Sequence, residues 1–165
     1  MPMVYAVVGG AVLATNATPL TTNDSWYVHP GTTRNVGLQA LYVQGRGAGL
    51  TAISGITFRI EKWTVSGSTA GTGTAITPGP RDPGMQAAKA SAAQASTQAG
   101  IFANGSGGPT LLLAIGCGAA GPGGWVAPNP DSVHILEAAA TMSLDIFSAS
   151  GTASLLYEAS AEIVE

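Results

Sequence analysis

Charge is the scarcest ingredient of this sequence: only 9% of its 165 residues are Asp, Glu, Lys or Arg, against roughly 25% in an average soluble domain. Six basic and nine acidic side chains leave a net charge of −3. With no basic cluster to neutralise phosphates, direct DNA or RNA binding is excluded as a function class. A folded chain of 16.4 kDa is expected to expose about 7,500 Å², or roughly one charged side chain per 500 Å². Free monomers usually carry a denser layer of mixed charge that keeps them apart, so this surface reads as one built to be covered in part by protein.

Cysteine is nearly absent. Cys117 stands alone, which excludes an intrachain disulfide and any zinc site of the cysteine-pair type. Its setting, Ile115-Gly116-Cys117-Gly118-Ala119, holds no His, Lys or Arg to lower the thiol pKa, and it reads as a small buried hydrophobe. Long apolar runs are missing too. The run Val4 to Ala14 falls well short of the roughly 20 residues a membrane-spanning helix needs. Followed by Thr15-Asn16-Ala17 it resembles a signal-peptide core, but residues 1–5 lack the usual Lys or Arg, and a buried strand is expected there instead.

The motifs of common chemistry are also absent. No G-x-S-x-G, H-E-x-x-H or G-x-x-x-x-G-K-[ST] occurs. The glycine clusters Gly105 to Gly108 and Gly121 to Gly124 open no helix bearing a lysine. His29 and His134 are the only histidines; with Asp24 or Asp131 they could form a metal site, but they read as one turn histidine before Pro30-Gly31 and one strand histidine. Glu158 with Glu162, or Asp145 with Glu137, could mimic a glycosidase pair, yet alternation along a strand places solvated side chains the same way. No catalytic residue, cofactor or metal is expected.

What the sequence has in quantity is glycine (23), proline (10) and short stretches of period-2 alternation, the mark of strands with one buried face. Met3 to Val8 and Ala11 to Ala14 are interrupted by Gly9-Gly10, which predicts a bulge or tight bend. Gly37 to Gln44 predicts a strand with Leu38, Ala40 and Tyr42 on one face and Gln39, Leu41 and Val43 on the other. Ile56 to Val65 follows, with a bulge near Lys62-Trp63. Thr110 to Ile115, Trp125 to Ala127, Val133 to Glu137, Met142 to Ser148 and Ser154 to Val164 complete the set. In the last strand Leu156, Glu158, Ser160 and Glu162 share one face, while Leu155, Tyr157, Ala159, Ala161 and Ile163 share the other. Between them lies a Gly/Ala/Ser/Thr-rich excursion, residues 66–109, expected to be an extended arm or long loop with at most a short helix in Ala-rich Met85 to Ala99.

Seven or eight short strands in one domain spanning 1–165 predict an all-β fold, an antiparallel β-sandwich of jelly-roll type, with a five-strand barrel as alternative. The basic side chains all fall in residues 1–100, which carry +3, and residues 101–165 carry six acids and no base. Such halves could pair between copies or inside one domain. Trp26, Tyr27, Trp63 and Trp125 are candidate interface residues, because large aromatics anchor cores and interfaces.

The segment Phe58 to Pro78, FRIEKWTVSGSTAGTGTAITP, joins a strand ending in R-x-E-K-W to G-T-A-I-T-P. Pro80-Arg81-Asp82-Pro83 and an Ala/Thr-rich stretch follow. The "W-V" strand at Trp125-Val126, the Pro128-Asn129-Pro130 turn and the last strand from Leu155-Leu156-Tyr157-Glu158 to Glu162-Ile163-Val164-Glu165 continue the pattern. Over residues 56–165 this resembles small bacteriophage virion structural proteins of the capsid decoration, or cement, type. The resemblance implies a non-enzymatic protein on the outer surface of a capsid, associated with the major capsid protein as a homotrimer and with neither nucleic acid nor membrane. A carbohydrate- or receptor-binding module of a phage head or tail fibre is the alternative, and it requires clustered, exposed aromatics.

Overall fold

A computed structural model describes residues 3–10, 12–14, 26–30, 33–46, 56–64, 74–94, 110–117, 123–129, 132–137, 142–150 and 155–165. The first strands are β1 (Val4–Val8), β2 (Val12–Ala14), β3 (Trp26–His29) and β4 (Val36–Arg46). Next come β5 (Ile56–Thr64), β6 (Thr74–Ile76), β7 (Gly79–Pro80) and β8 (Ser91–Gln94). The chain continues through β9 (Thr110–Cys117), β10 (Gly123–Val126), β11 (His134–Leu136), β12 (Met142–Ser150) and β13 (Leu155–Val164). Among the described residues there is no α-helix.

The strands form two antiparallel sheets. One runs β10-β4-β13-β1-β7, with β11 also pairing β4 and β2 also pairing β13; the other runs β6-β8-β3-β12-β5-β9. Alternating side chains of both sheets meet in one core: Tyr5, Val7, Leu38, Leu41, Val43, Ala159, Ala161 and Ile163 from the first, and Trp26, Val28, Ile60, Ala92 and Ile115 from the second. The fold is therefore a β-sandwich. Early strands pair with late ones. β1 lies against β13, β3 against β12, β4 against β10 and β11, and β5 against β9. The pairs are joined by β4 against β13 and β5 against β12.

Sequence alternation holds where pleating is regular and fails where it is not. On β13, Ala159, Ala161 and Ile163 are buried, as expected. On β4 the expected faces hold from Ala40 to Val43 and fail at Leu38, because Glu162 pairs Ala40 while Ile163 pairs Leu38, which leaves Gln39 as an extra, bulged residue. The bulge turns Leu38 into the core together with Leu41 and Val43, and leaves Ala40 and Tyr42 on the outer face. It is pinned by the Ala127 N–H, which donates to the Gln39 carbonyl at 2.8 Å. On β5 the register shift falls between Ile60 and Glu61, just before the expected position. At Gly9, between β1 and β2, an added Cβ would lie 2.7 Å from Gln94 Oε1 and 3.0 Å from Trp26 Nε1. The glycine is required there by close approach rather than by a turn.

The 66–109 excursion is not a free arm over its described part, 74–94. β6 and β8 border the second sheet, β7 borders the first, and residues 81–90 cross between them as a strap closing one side of the sandwich. The Ala-rich stretch supplies strand β8 instead of a helix, because Ala92 and Ala93 are small enough to be buried opposite Val28 and Tyr27.

Candidate functional site

The three aromatic candidates whose side chains are described, Trp26, Tyr27 and Trp125, are not brought together. Trp26 and Tyr27 belong to the buried interior and are no surface contacts: β3 has covered neighbours on both faces, and Trp26, Tyr27, Val28 and His29 are all buried. Trp63 sits on β5, but its side chain lies outside the described residues. Trp125 is half-buried at the edge of the first sheet, where its ring meets that of His134 at 5.0 Å between centroids. Burial there lowers the His134 pKa from its ordinary value of 6.5. His29, expected in a turn, ends β3 and is buried.

The two members of the Glu158–Glu162 pair do not share a cleft, and the Asp145 side chain lies outside the described residues. Glu162 forms an ion pair with Arg81, and Asp145 stands opposite Glu61 and Tyr27 in the second sheet. Among the described residues no three His, Cys, Asp or Glu side chains converge on a common point, and no helix is long and apolar enough to cross a membrane. Both Arg81–Glu162 and Arg34–Glu165 join a base of the first hundred residues to an acid near the last strand. Opposite charge is thus paired within one domain at these two places.

The strap is fastened by buried polar groups. The Glu165 carboxylate, its side chain 0% exposed, accepts the Lys89 N–H at 2.8 and 3.0 Å and the Ala90 N–H at 2.6 Å. Arg34 approaches the same carboxylate at 3.8 Å. The Tyr5 hydroxyl donates to the Gln86 carbonyl at 3.0 Å, and Gln94 Oε1 accepts the Gly10 N–H.

The site that sequence reasoning missed is the outer face of the first sheet. Strand register lays it out in three rows. The first is Val8, Ser160, Tyr42 and Gly124; the second is Ala6, Glu162, Ala40 and Val126; the third is Val4, Val164, Gly37 and Ile135. Four large apolar side chains stand exposed on it: Val8 (66%), Val126 (54%), Tyr42 (44%) and Ile135 (43%). At the Gly37 end lies an apolar groove of about 380 Å³, lined by Val4, Gly37, Gln39, Val133, Ile135 and Val164 among others. Gln39 Oε1 is buried and has no hydrogen-bond partner among the described residues. At the other end a depression of about 270 Å³ is bordered by Tyr42, Gln44, Glu158 and Ser160. The Tyr42 ring lies against Gly124, whose added Cβ would come within 2.9 Å of the ring.

Fold and surface define a charge-poor antiparallel β-sandwich with an open apolar face on its first sheet, among the described residues. Comparison of the chain with protein-family models, with curated proteins and with solved structures gives no match.

Proposed function

We propose that this protein is a structural protein of a bacteriophage virion, decorating the outer surface of the capsid and stabilising it by bridging major capsid subunits. The observation that carries the reading is the nested strand order: β1 with β13, β3 with β12, β4 with β11 and β10, and β5 with β9. A ribbon folded over in this way is the plan of a jelly roll, an architecture used by viral capsid and lectin domains. Topology alone does not assign an activity; the surface favours the shell over the sugar. Its accessible area of 7778 Å² carries only fifteen charged side chains, and Trp26 and Tyr27, the aromatics nearest each other in sequence, are buried. The residue patterns of 56–165 that resemble decoration proteins support the same reading.

The mechanism is mechanical. A protein that binds the assembled shell and not its separated subunits shifts the equilibrium against disassembly, and many copies on one lattice reinforce one another through avidity. Purified protein added to shells lacking it should bind at a fixed copy ratio and raise their resistance to heat or osmotic shock. Shells that bind none, or whose resistance is unchanged when loaded, would refute the role. A carbohydrate- or receptor-binding module is the second reading, favoured by the Tyr42 depression; glycan binding without shell binding would select it.

A further inference from the structure

We infer that the outer face of the first sheet is the contact between two copies of this chain, related by a two-fold axis along its middle row. The three rows make the face self-complementary. When two faces meet, a two-fold axis in the contact plane and perpendicular to the strands keeps each strand column but exchanges the first row with the third. Set along the row Ala6, Glu162, Ala40 and Val126, it brings Val8 of one copy over Val4 of the other, and Tyr42 over Gly37. The raised ring of Tyr42 therefore meets the groove floored by Gly37, flanked by Ile135 and Val164. Both ends of the fit are supplied by one strand, β4, and the bulge at Gln39 is what sets them on the same side.

Charge permits this pairing. Glu162 falls on the axis row opposite its own symmetry mate, but each is already paired with Arg81, so four alternating charges meet instead of two like ones.

Area sets the strength. Five strand columns about 4.8 Å apart and about 20 Å long cover roughly 480 Å² in projection. With side-chain relief, burial over both copies reaches about 1,000–1,200 Å², the lower end of specific interfaces. At that size the pair belongs among weak, reversible contacts. Such an isologous contact closes at two copies, in place of the three that the resemblance to decoration proteins implies.

The inference stands apart from the shell assignment, since it is tested on the free protein. Sedimentation equilibrium from roughly 1 to 200 µM should show the mass rising from 16.4 kDa toward twice that value. Tyr42→Ser and Ile135→Ser, both at exposed positions, should each weaken association about tenfold or more, with circular dichroism and melting unchanged. In a Cys117→Ser background, Val126→Cys on the axis should oxidise to a covalent dimer. Val8→Cys, about 14 Å from its mate by row spacing, should not. A monomer at every concentration, a trimer, dimerisation that survives both serine substitutions, or Val8→Cys cross-linking as fast as Val126→Cys would each overturn the inference. Should a serine variant misfold, the cross-linking pair decides.

Discussion

Replacing Glu165 by alanine removes the fastening of the strap while leaving its backbone in place. The Glu165 N–H and carbonyl bond to Met3 at 3.0 and 3.1 Å, and these bonds survive any side-chain change, so the substitution isolates the carboxylate. That carboxylate accepts two backbone N–H groups, at Lys89 and Ala90, from a fully covered position. Hydrogen bonds to a charged group contribute about 1.5–3 kcal/mol each when lost without replacement. The Lys89 N–H is exposed and recovers a water, whereas the Ala90 N–H is partly buried and does not. The Arg34 contact at 3.8 Å adds about 0–1 kcal/mol at its degree of exposure. The expected cost is about 2–4 kcal/mol, or a fall in Tm of roughly 4–16 °C for a domain of this length. Urea denaturation measures the first and calorimetry the second. Hydrogen exchange provides the specific readout, since the Lys89 and Ala90 amides should lose protection before the core strands do. Glu165→Gln, which keeps one acceptor oxygen and loses the charge, should fall between. A cost below about 0.5 kcal/mol, or the full cost with unaltered exchange at these two amides, would show that the strap is held by packing instead.

Two further outcomes follow from close packing and from burial. Gly9→Ala should destabilise by about 1–3 kcal/mol, since Gln94 can yield only by releasing the Gly10 N–H and the Trp26 indole is fixed in the core; adding Gln94→Ala should make the pair less than additive in denaturation curves, and strict additivity would discard the close-approach argument. His134 has its pKa lowered by burial, so the unfolded chain binds its proton more readily than the fold does. Its contribution to stability is therefore present above pH 6.5 and is lost as pH falls below that value toward the folded pKa. His134→Gln should flatten the stability profile over that acid window, and an unchanged slope would assign it to other groups.

The class of fold was legible because alternation is a local property. Ala159, Ala161 and Ile163 against Glu158, Ser160 and Glu162 could be sorted from the sequence alone, and burial sorts them the same way. The strap was not legible. Residues 81–90 have no periodicity of their own; they are held by Tyr5 and Glu165 from 81 and from 75 or 76 positions away. Ala92 and Ala93 show the same limit from the other side. Alanine favours a helix when its neighbours are solvent, but here a gap beside Val28 and Tyr27 admits only a small side chain. Trp26 and Tyr27 take the core side of the expected core-or-interface role. Adjacent large residues on a strand point to opposite faces, and one of them is exposed only if its sheet has an open side.

The open side belongs to the other sheet, and one residue determines what it presents. Without the bulge at Gln39, strict alternation would put Leu38 on the same face as Tyr42 and would leave the strand uniformly apolar outside. With it, Leu38 joins the core and Gly37 becomes the floor of a groove five residues from the ring that fits it. A single unpaired residue thus improves the core and shapes the surface together. Bulges that re-aim side chains concentrate beside functional surfaces, and this one also leaves a buried acceptor at Gln39 without a partner among the described residues. An unsatisfied buried acceptor costs on the order of 1–3 kcal/mol. That cost is borne beside an open apolar face, where the exposed Val126, Tyr42 and Ile135 side chains stand to be covered by another protein surface.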